Sequence, residues 1–490
     1  MANRAELITT VAFVSLGCPK NLVDSERMLG LLAEDGLTIT DDDEKADVIV
    51  INTCGFLETA KEESLREIRR AVGLKRKGRC RRVIVAGCLA QRHKTRLLEL
   101  VPEIDRLVGV FDREHIVQAV RGSDNPRKQH GHFLGQYHHL SGATRQARGL
   151  PAVSISETAT ARAPAFEDDR GRLRLTPRHY AYLRLSDGCN QGCSFCTIPS
   201  IRGPMRSKPA PQILAEAKEL AADGAVEINL IGQDTTAYGA DIGYGQGLSG
   251  LLRMLDRKLP ADVRWLRLMY AYPSCFTDEM IRTIADAGRV VKYIDLPLQH
   301  INDEILANMR RRVTRKDTEV LLEKLRNWVP GIAIRTTLIA GCPGETEEQH
   351  QEVVRFVRDF GFDMLGVFAY SQEPGTPMAR MEGQIPEKVK LQRVEDLMLT
   401  QQQVAFAKAG SMKGRTIEVL VDRPPARKGG RWLARSQGQA PEIDSTVLLR
   451  AERLHPGQFV QATVTGSRNY DLIAELPRHR SRSLSVIPAL

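Results

Sequence analysis

The sequence predicts an α/β protein with three folded parts. These are an N-terminal open parallel sheet, a partial (β/α)6 barrel and a small C-terminal β-barrel. Up to about residue 410, short apolar β-branched runs alternate with helical patterns, as in parallel sheets covered by helices. Beyond that point, β-runs are separated by turns rich in Gly, Pro and Arg, which indicates a small barrel. We expect the N-terminal domain at 9–122, a linker at 123–177, the partial barrel at 178–408, the C-terminal β-barrel at 411–476 and a basic tail at 477–490.

The first part contains three predicted strands, and each ends in a loop that carries a cysteine. In open α/β sheets, ligands bind beyond the carboxyl ends of the strands. The equivalent placement of Cys18, Cys54 and Cys88 therefore predicts that their thiols converge, with three unrelated core thiols as the alternative. The strands are Val11–Ser15, Val48–Asn52 and Val83–Ala86, and the helical patterns are Asp24–Glu34, Glu58–Val72 and Gln91–Leu100.

The second part alternates six predicted strands with helical patterns, which is typical of an incomplete (β/α) barrel. Active sites in such barrels lie at the C-terminal ends of the strands. The strands are Tyr182–Leu185, Glu227–Ile231, Trp265–Met269, Tyr293–Leu296, Ala333–Leu338 and Met364–Phe368, and the helices include Gln212–Ala222, Asp278–Ala287, Lys316–Trp328 and Glu347–Phe360. The third part has predicted strands at Thr416–Val421, Thr446–Leu449 and Phe459–Thr465.

One short loop after the first barrel strand carries three thiols at C-x3-C-x2-C spacing, namely Cys189, Cys193 and Cys196. Three thiolates on one tight loop can face a single point, and soft sulfur ligands favour iron–sulfur clusters or zinc. Structural zinc usually takes four protein ligands. The next thirty positions contain no Cys or His. The loop therefore predicts an iron–sulfur cluster that keeps one iron free for another ligand.

Composition limits the class of protein. The formal net charge is +10 and the isoelectric point about 9.2, which is compatible with a nucleic acid or ribosomal partner and also common on proteins that bind neither. We find no apolar run of membrane-spanning length and no signal-peptide core, so we expect a cytoplasmic protein with no membrane partner. Nine cysteines in a reducing compartment suggest metal ligands rather than disulfides. The linker contains His130, His132, His138 and His139; we interpret it as solvated, with a histidine metal site as the alternative.

Together with the three-cysteine loop, three N-terminal motifs resemble the methylthiotransferase family of radical S-adenosylmethionine (SAM) enzymes. The motifs are Ser15–Asn21, Asn52–Phe56 and Ala86–Gln91. Members of the family join an N-terminal cluster domain, a radical SAM barrel and a small β-barrel called TRAM. The resemblance implies two [4Fe–4S] clusters, each with an open iron, on Cys18, Cys54 and Cys88 and on Cys189, Cys193 and Cys196. It also implies SAM as radical source and methyl donor, and a flavodoxin- or ferredoxin-like electron donor.

The branches of this family differ in substrate. One modifies an adenosine in tRNA, and another modifies the β-carbon of an aspartate in the S-twelve protein of the small ribosomal subunit. Tyr370–Met378 and Pro441–Asp444 resemble the second branch. We expect the TRAM barrel to seat its substrate loop over the barrel mouth. The basic stretch Arg423–Arg435 leaves tRNA open as the alternative, because phosphate contacts call for Lys and Arg. Contact with ribosomal RNA beside the target would also account for these charges, as would a solvated loop.

Two other classes of function are compatible with paired metal sites. A two-cluster electron-transfer protein is disfavoured because ferredoxin-like clusters take four cysteines. A nucleic-acid-binding module with structural zinc would be revealed by metal and sulfide analysis. We assign no catalytic residue beyond the cluster ligands.

Several turns at the ends of barrel strands are candidate SAM contacts, with ordinary tight-turn chemistry as the alternative. Glycines permit close backbone approach, and helix N-terminal amides favour an anion or ribose oxygens. Cys80, Cys275 and Cys342 are not expected to be ligands. The candidate contacts are Gly232, Gln233 and Asp234 after strand two, His300 after strand four, and Gly341, Gly344 and Glu345 after strand five.

Overall fold

The structure is a computed structural model and describes residues 8–122, 132–134, 166 and 168–477. Over these residues it contains two large parallel sheets and a closed five-stranded barrel, which confirms the predicted fold class. Among the helices it describes, none is long and apolar enough to cross a membrane.

The N-terminal domain is a five-stranded parallel sheet with apolar clusters on both faces. Its elements are β1 (Thr10–Ser15), α1 (Pro19–Glu34), β2 (Thr38–Thr40), β3 (Val48–Thr53), α2 (Glu58–Arg76), β4 (Arg82–Gly87), α3 (Cys88–His93), α4 (Arg96–Leu100), β5 (Arg106–Val108) and α5 (Ile116–Arg121). The strand order is β2-β1-β3-β4-β5. Because β1, β3 and β4 are adjacent and parallel, the three cysteine loops that follow them end at one edge of the sheet.

Three details of this domain differ from the prediction. The predicted helix Gln91–Leu100 is two short helices, because Lys94 has φ +52° and this left-handed backbone ends the first of them. The sequence analysis also missed β2 and β5. Each has only three residues, which is too short for a periodic pattern.

The central domain is an open six-stranded parallel sheet with the order β13-β12-β11-β10-β9-β6, as expected for a partial barrel. Its main elements are β6 (Tyr180–Arg184), β7 (Ser186–Asp187), α6 (Ile198–Arg202), β8 (Arg206–Ser207), α7 (Ala210–Ala222), β9 (Glu227–Ile231), α8 (Gly247–Lys258), β10 (Trp265–Leu268), α9 (Asp278–Asp286), β11 (Val290–Asp295), α10 (Asp303–Asn308), α11 (Arg315–Trp328), β12 (Ala333–Ala340), α12 (Glu347–Phe360) and β13 (Met364–Ala369). Alternate strand residues pack outward against the helices in the largest apolar cluster of the described chain. The other strand face, lined by polar and aromatic side chains, is the concave interior.

A 25-residue helix that the sequence analysis did not predict, α13 (Glu387–Ser411), connects this sheet to the C-terminal domain. That domain is a closed barrel with the order β14-β15-β16-β18-β17. Its strands are β14 (Thr416–Arg423), β15 (Trp432–Ser436), β16 (Val447–Arg450), β17 (Phe459–Arg468) and β18 (Asp471–Glu475). Strands β15 and β18 were missed.

The C-terminal barrel inserts the stretch Pro441–Asp444 into the concave interior, but from the end at which the strands begin. Glu442 accepts a hydrogen bond from the Tyr180 hydroxyl at the start of β6 (2.8 Å), and Asp444 accepts one from the Tyr293 hydroxyl in β11 (2.9 Å). The cysteine loop lies at the opposite, C-terminal end of β6. These contacts hold Pro441–Asp444 away from the barrel mouth, and the expectation that the TRAM barrel seats a substrate loop over the mouth stays a prediction.

The end of the predicted linker is part of the folded structure. Asp169 is fully buried and accepts hydrogen bonds from Arg184 Nε (3.0 Å) and Lys208 Nζ (3.0 Å). The solvated interpretation therefore does not hold at this residue. His132 Nδ1 accepts the Leu107 amide over 3.3 Å beside β5, whereas His130, His138 and His139 lie outside the described residues, as does the tail from residue 478 onward.

Candidate active site

The C-x3-C-x2-C loop follows β6 and β7 at the C-terminal mouth of the partial barrel. Gly188 opens the loop with φ +78°, and a Cβ there would stand 2.1 Å from the carbonyl oxygen of Pro204. Only glycine fits this close approach. Cys189, Cys193 and Cys196 follow and are half-buried, so the loop places three cysteines at the mouth.

The thiols of this loop influence one another's ionisation. Burial raises the pKa of Cys189 to about 11 and that of Cys196 to about 12, and neighbouring thiols add to both increases. The Gln191 amide donates to Cys189 Sγ and the Ile198 amide to Cys196 Sγ, each over 3.5 Å. A bound metal opposes this increase in pKa, because it stabilises thiolates. The donor set fits an iron–sulfur cluster, whose potential depends on hydrogen bonds to sulfur.

Two residues that the sequence analysis missed surround Cys193. The Tyr272 hydroxyl lies 3.7 Å from Cys193 Sγ, and Arg311 Nη1 lies 3.9 Å from the same sulfur. The Arg311 guanidinium stacks 4.1 Å from the centre of the Tyr272 ring. Arg311 stands in a run of three arginines, which by sequence indicates a solvated surface, although the structure buries it.

The N-terminal cysteines gather at the edge of their own sheet. Cys18 immediately precedes α1, Cys54 follows β3, and Cys88 begins α3. A Cβ on Gly17 would stand 2.8 Å from Cys54 Cβ, so glycine permits the first two loops to touch. Burial, with the Cys18 and Cys54 thiols adding to it, raises the pKa of Cys88 to about 12. The three loops therefore lie at one edge of the sheet, and the role of their thiols as ligands of one cluster stays a prediction.

Neither set of thiols forms a site for a single ion. Within the described ranges, no three or more Cys, His, Asp or Glu side chains lie close enough together to hold one metal ion. This spacing does not disfavour a cubane cluster, because each of its cysteines binds a different iron.

One arginine of the barrel reaches an N-terminal thiol across the domain interface. Arg202, on α6 just after Cys196, donates from Nη2 to Cys88 Sγ (3.3 Å) and to Asp24 Oδ2 (2.7 Å). Its Nη1 donates to both carboxylate oxygens of Asp187 at 3.1 Å. Burial opposes ionisation of Asp187, but the guanidiniums of Arg202 and Arg184 hold its pKa well below the ordinary value. This buried ionic network aligns the N-terminal cysteines with the barrel mouth.

The candidate contacts after β9 have partners on the cysteine loop or in the ionic network. Gln233 Nε2 donates to Asp187 Oδ1 (2.8 Å). Asp234 Oδ1 accepts the Thr236 amide (3.0 Å), and its Oδ2 accepts Gln191 Nε2 (2.5 Å). Asp234 therefore holds the cysteine loop in place. Its role as a SAM contact stays a prediction, as does that of Gln233.

The candidates after β11 and β12 form a second group at the mouth, in which His300, Gly341 and Glu345 are buried and Gly344 is exposed. Burial lowers the pKa of His300 to about 3, and its Nε2 has no hydrogen-bond partner among the described residues. Glu345 Oε2 accepts the amides of Gly341 (2.7 Å) and Cys342 (2.9 Å), so this carboxylate shapes its own loop. The Gly344 amide donates to the Gly383 carbonyl (2.9 Å). All four remain predicted SAM contacts.

Lys20 is a further residue at the mouth that the sequence analysis did not select. It lies one position inside α1, is 7% exposed, and donates from Nζ to the carbonyl of the candidate residue Gly232 (3.3 Å). Its ammonium also lies 3.3 Å from the centre of the Tyr270 ring. Burial lowers the pKa of Lys20, while the nearby Cys18 thiol opposes that shift.

Family models match all three domains. Residues 10–109 match the uncharacterized protein family UPF0004, residues 183–357 match the radical SAM superfamily, and residues 414–476 match the TRAM domain. The first and third ranges coincide with the N-terminal sheet and the C-terminal barrel, and the second covers the central sheet as far as β12.

Curated relatives align with the chain over almost its whole length. It is 42% identical over 469 residues to the ribosomal protein uS12 methylthiotransferase RimO of Desulforamulus reducens, which covers 95% of this chain and 99% of the relative. The RimO of Geobacter sulfurreducens is 41% identical, with 95% and 98% covered, and that of an Anaeromyxobacter strain is 39% identical, with 99% and 97% covered. The chain belongs to the RimO family.

Membership of the RimO family, together with the radical SAM match, makes this protein a radical SAM methylthiotransferase. Such enzymes use SAM and iron–sulfur chemistry, which agrees with the thiol loop at the barrel mouth. The predicted family and enzyme class are confirmed.

Solved structures agree with this fold. The radical SAM methyltransferase TsrM of Kitasatospora setae, solved with tryptophan and a SAM analogue, aligns with a TM-score of 0.51 at 17% identity, covering 85% of this chain and 79% of that one. TsrM with cobalamin and a [4Fe–4S] cluster aligns with a TM-score of 0.50 at 18% identity, covering 76% and 77%.

A large cavity lies away from the thiols of this RimO-family chain. It has a volume of about 1130 Å³ and lies between α13, the β12–β13 edge and the TRAM barrel. Its lining includes Arg335, Lys408, Arg415 and Asp444, but no cysteine and none of the candidate SAM contacts. Although the cavity is large, its lining gives no reason to identify it as the site of the radical chemistry.

Proposed function

We propose that this protein transfers a methylthio group to the β-carbon of an aspartate in ribosomal protein uS12, free or within the ribosome. The observation that carries this proposal is the identity of 39–42% over at least 95% of the chain to RimO proteins named for uS12. Two sets of three cysteines, one on each facing domain, support a requirement for two [4Fe–4S] clusters.

The chain's own residues have distinct roles in this proposal. Cys189, Cys193 and Cys196 would hold the cluster that reduces SAM, and the N-terminal cysteines would hold the cluster that carries sulfur. When bound, these groups supply an electron, a radical and the methylthio group, with the electron drawn from a flavodoxin- or ferredoxin-like donor. Lys20, Arg202 and Asp24 are buried where the domains meet, and in this proposal they would help to keep water away from the chemistry. Dry surroundings protect a radical from side reactions.

The TRAM barrel leaves part of the basic stretch available to a partner. Arg423, Arg427, Lys428 and Arg431 are exposed, which suits contact with RNA phosphates. Arg435 is buried and pairs with Glu227 (2.7 Å) and Asp422 (2.8 Å), so it does not belong to that surface. In this proposal the exposed residues contact ribosomal RNA beside uS12.

The product of the reaction tests the proposal. Anaerobically reconstituted, reduced enzyme is incubated with SAM and either small ribosomal subunits, isolated uS12 or total tRNA. Mass spectrometry is expected to find a methylthio group on one aspartate of uS12 and none on tRNA. Cys193→Ala serves as the inactive control. Methylthioadenosine in tRNA with unchanged uS12 would instead favour the tRNA alternative.

Metal analysis tests the two-cluster part separately. Two cubanes predict about eight iron and about eight labile sulfide per chain. A content near four, or stoichiometric zinc, contradicts this part of the proposal.

A further inference from the structure

The Lys20 ammonium is buried at the barrel mouth without an anionic partner. An ammonium has three donors, and here one reaches the Gly232 carbonyl while another faces the Tyr270 ring. No carboxylate in the described ranges lies within 4.0 Å of Lys20 Nζ. The carboxylates whose charge acts on Lys20, Asp295 and Asp187, are already paired, Asp187 with Arg202 (3.1 Å) and Asp295 with Arg335 (2.8 Å). A buried cation without a counter-ion is costly, so its retention points to an anion that arrives from outside.

The surroundings of Lys20 are held in place at some conformational cost. Tyr270 has φ +60°, a region that bulky side chains rarely adopt. Its amide donates to Asp295 Oδ2 (3.3 Å), and its carbonyl accepts the Thr235 amide (3.0 Å), so both sides of the residue are fixed. Such strain clusters at ligand sites. Here it keeps an aromatic ring beneath the ammonium, which stabilises a cation without neutralising it.

The position of Lys20 suits a ligand that reaches both sets of thiols. Cys18 stands two residues before it, whereas Gly232 and Tyr270 follow β9 and β10 at the end of the barrel where the C-x3-C-x2-C loop lies. The concave interior is open beside β13, where Phe368 is 53% exposed. A loop of a protein substrate has access to the mouth from that side.

We propose that Lys20 binds the carboxylate of the target aspartate and thereby selects an acidic residue for modification. This inference rests on the proposed function. In aspartate the carboxyl carbon is bonded directly to the β-carbon, so an ammonium that holds the carboxylate also fixes the carbon that loses hydrogen and gains sulfur. A neutral asparagine would leave the ammonium unpaired.

Binding measurements test this role independently of turnover. The ligands are uS12 and uS12 in which the aspartate found modified by mass spectrometry is changed to asparagine. The proteins are the reconstituted wild type, Lys20→Met, Lys20→Arg and Lys45→Met. Lys45 lies in the same domain, with its side chain 82% exposed, and is the matched control. Iron content and the affinity for SAM are measured for each, so that a variant with a damaged cluster is recognised.

Wild type is expected to bind the aspartate form at least about tenfold more tightly than the asparagine form, as for a charged hydrogen bond. Lys20→Met should bind both forms alike, Lys20→Arg should keep part of the preference, and Lys45→Met should keep all of it. The affinity for SAM should stay within about twofold.

Four outcomes overturn the inference. Equal weakening of both uS12 forms by Lys20→Met means that Lys20 only supports the domain interface. If Lys20→Met loses affinity for SAM but not for either form of uS12, the carboxylate that Lys20 binds is that of SAM. If the wild type modifies tRNA and leaves uS12 unchanged, the proposed function fails together with the inference. If uS12 is modified but Lys20→Met still prefers the aspartate form of uS12 as strongly as the wild type does, the inference alone is overturned.

Discussion

Single glycines decide whether the cysteine loops can form. Gly17 and Gly188 both have positive φ angles, and both lie against other backbone or side-chain atoms where a Cβ has no room. The thiols are the chemical groups of the site, but these glycines bring them to the correct positions. Lys20 and Arg202 act at the same scale, since each joins the N-terminal domain to the barrel. Lys20 donates to the Gly232 carbonyl, and Arg202 donates to Cys88 Sγ.

Gly188→Ala is therefore expected to displace the barrel loop, because the new Cβ would meet the Pro204 carbonyl. The variant should lose about half of its iron, that of the barrel cluster, and all cleavage of SAM. Gly192→Ala is the matched control: Gly192 lies in the same loop at φ +68°, but nothing stands within 4 Å of its added Cβ. Iron analysis compares the two. An equal iron loss in both variants would show that backbone strain, rather than the close approach, is decisive.

Single cysteine substitutions should separate the roles of the two sets of thiols. Cys193→Ala is expected to abolish reductive cleavage of SAM, because the barrel site delivers the electron. Cys54→Ala should leave cleavage to 5′-deoxyadenosine largely intact and abolish sulfur insertion. Chromatography of 5′-deoxyadenosine and mass spectrometry of uS12 measure the two steps. The opposite pattern would reverse the assignment.

At the scale of elements, the loop after β13 fastens the N-terminal domain over the barrel mouth. Glu373 is 2% exposed; it accepts the Glu58 amide at the start of α2 (3.1 Å) and pairs with Arg92 (2.8 Å). Arg92 in turn donates to the carbonyl of Gly55, next to Cys54 (2.8 Å). A carboxylate at a helix N-terminus is favourable. The stretch Tyr370–Met378, which resembles the uS12-specific branch, thus contains an interdomain contact.

Glu373→Gln should loosen this contact, because it removes the charge that Arg92 and the start of α2 share. We expect methylthiolation to fall about tenfold or more, while SAM cleavage stays within about twofold, since breaking a buried ion pair costs about 3–5 kcal/mol. Hydrogen exchange of the amides in 55–58 should rise in parallel. Glu382→Gln, at an exposed site nearby, is the control. Unchanged exchange in Glu373→Gln would exclude a role in domain closure.

At the scale of the whole molecule, buried ion pairs join three segments that are distant in sequence. Asp169, in the predicted linker, lies between Arg184 and Lys208 of the barrel. Arg113 of the N-terminal domain lies close by, with its Nη1 3.8 Å from Asp169 Oδ1. Burial opposes ionisation of Asp169, but Arg184 and Lys208 hold its pKa well below the ordinary 3.8. The domains are therefore held together by charges as well as by apolar surface.

The pH dependence follows from this lowered pKa. A carboxylate with a lowered folded-state pKa stabilises the fold above its unfolded pKa of 3.8, and this stabilisation is lost as the pH falls through the folded value. Asp169→Asn should therefore be less stable than wild type at pH 7, by about 3–5 kcal/mol, as for a broken buried pair. Below about pH 4 the difference should shrink. Urea denaturation at several pH values measures the difference in the free energy of unfolding between the two proteins. A difference that does not change with pH would contradict an ionised Asp169.

The sequence alone determined the architecture and the six candidate ligands. Their signals are local: apolar β-branched runs report buried strands, and the spacing of Cys189, Cys193 and Cys196 defines one tight loop. The N-terminal cysteines could also be predicted as candidate ligands from the sequence, because neighbouring parallel strands end at one edge of a sheet. Strands of three residues and the helix break at Lys94 were missed because they leave no periodic pattern.

Only the tertiary structure decided which charges are buried. Lys20, Asp169, Arg202 and Arg435 look like ordinary surface residues in the sequence, yet each is at least nine-tenths buried. Lys20 meets its carbonyl partner 212 positions away, and Arg202 meets Cys88 at a separation of 114. Periodicity reports only which face of its own element a side chain occupies. Whether a charge meets solvent or a partner depends on the packing of three domains, and that packing placed Pro441–Asp444 away from the mouth.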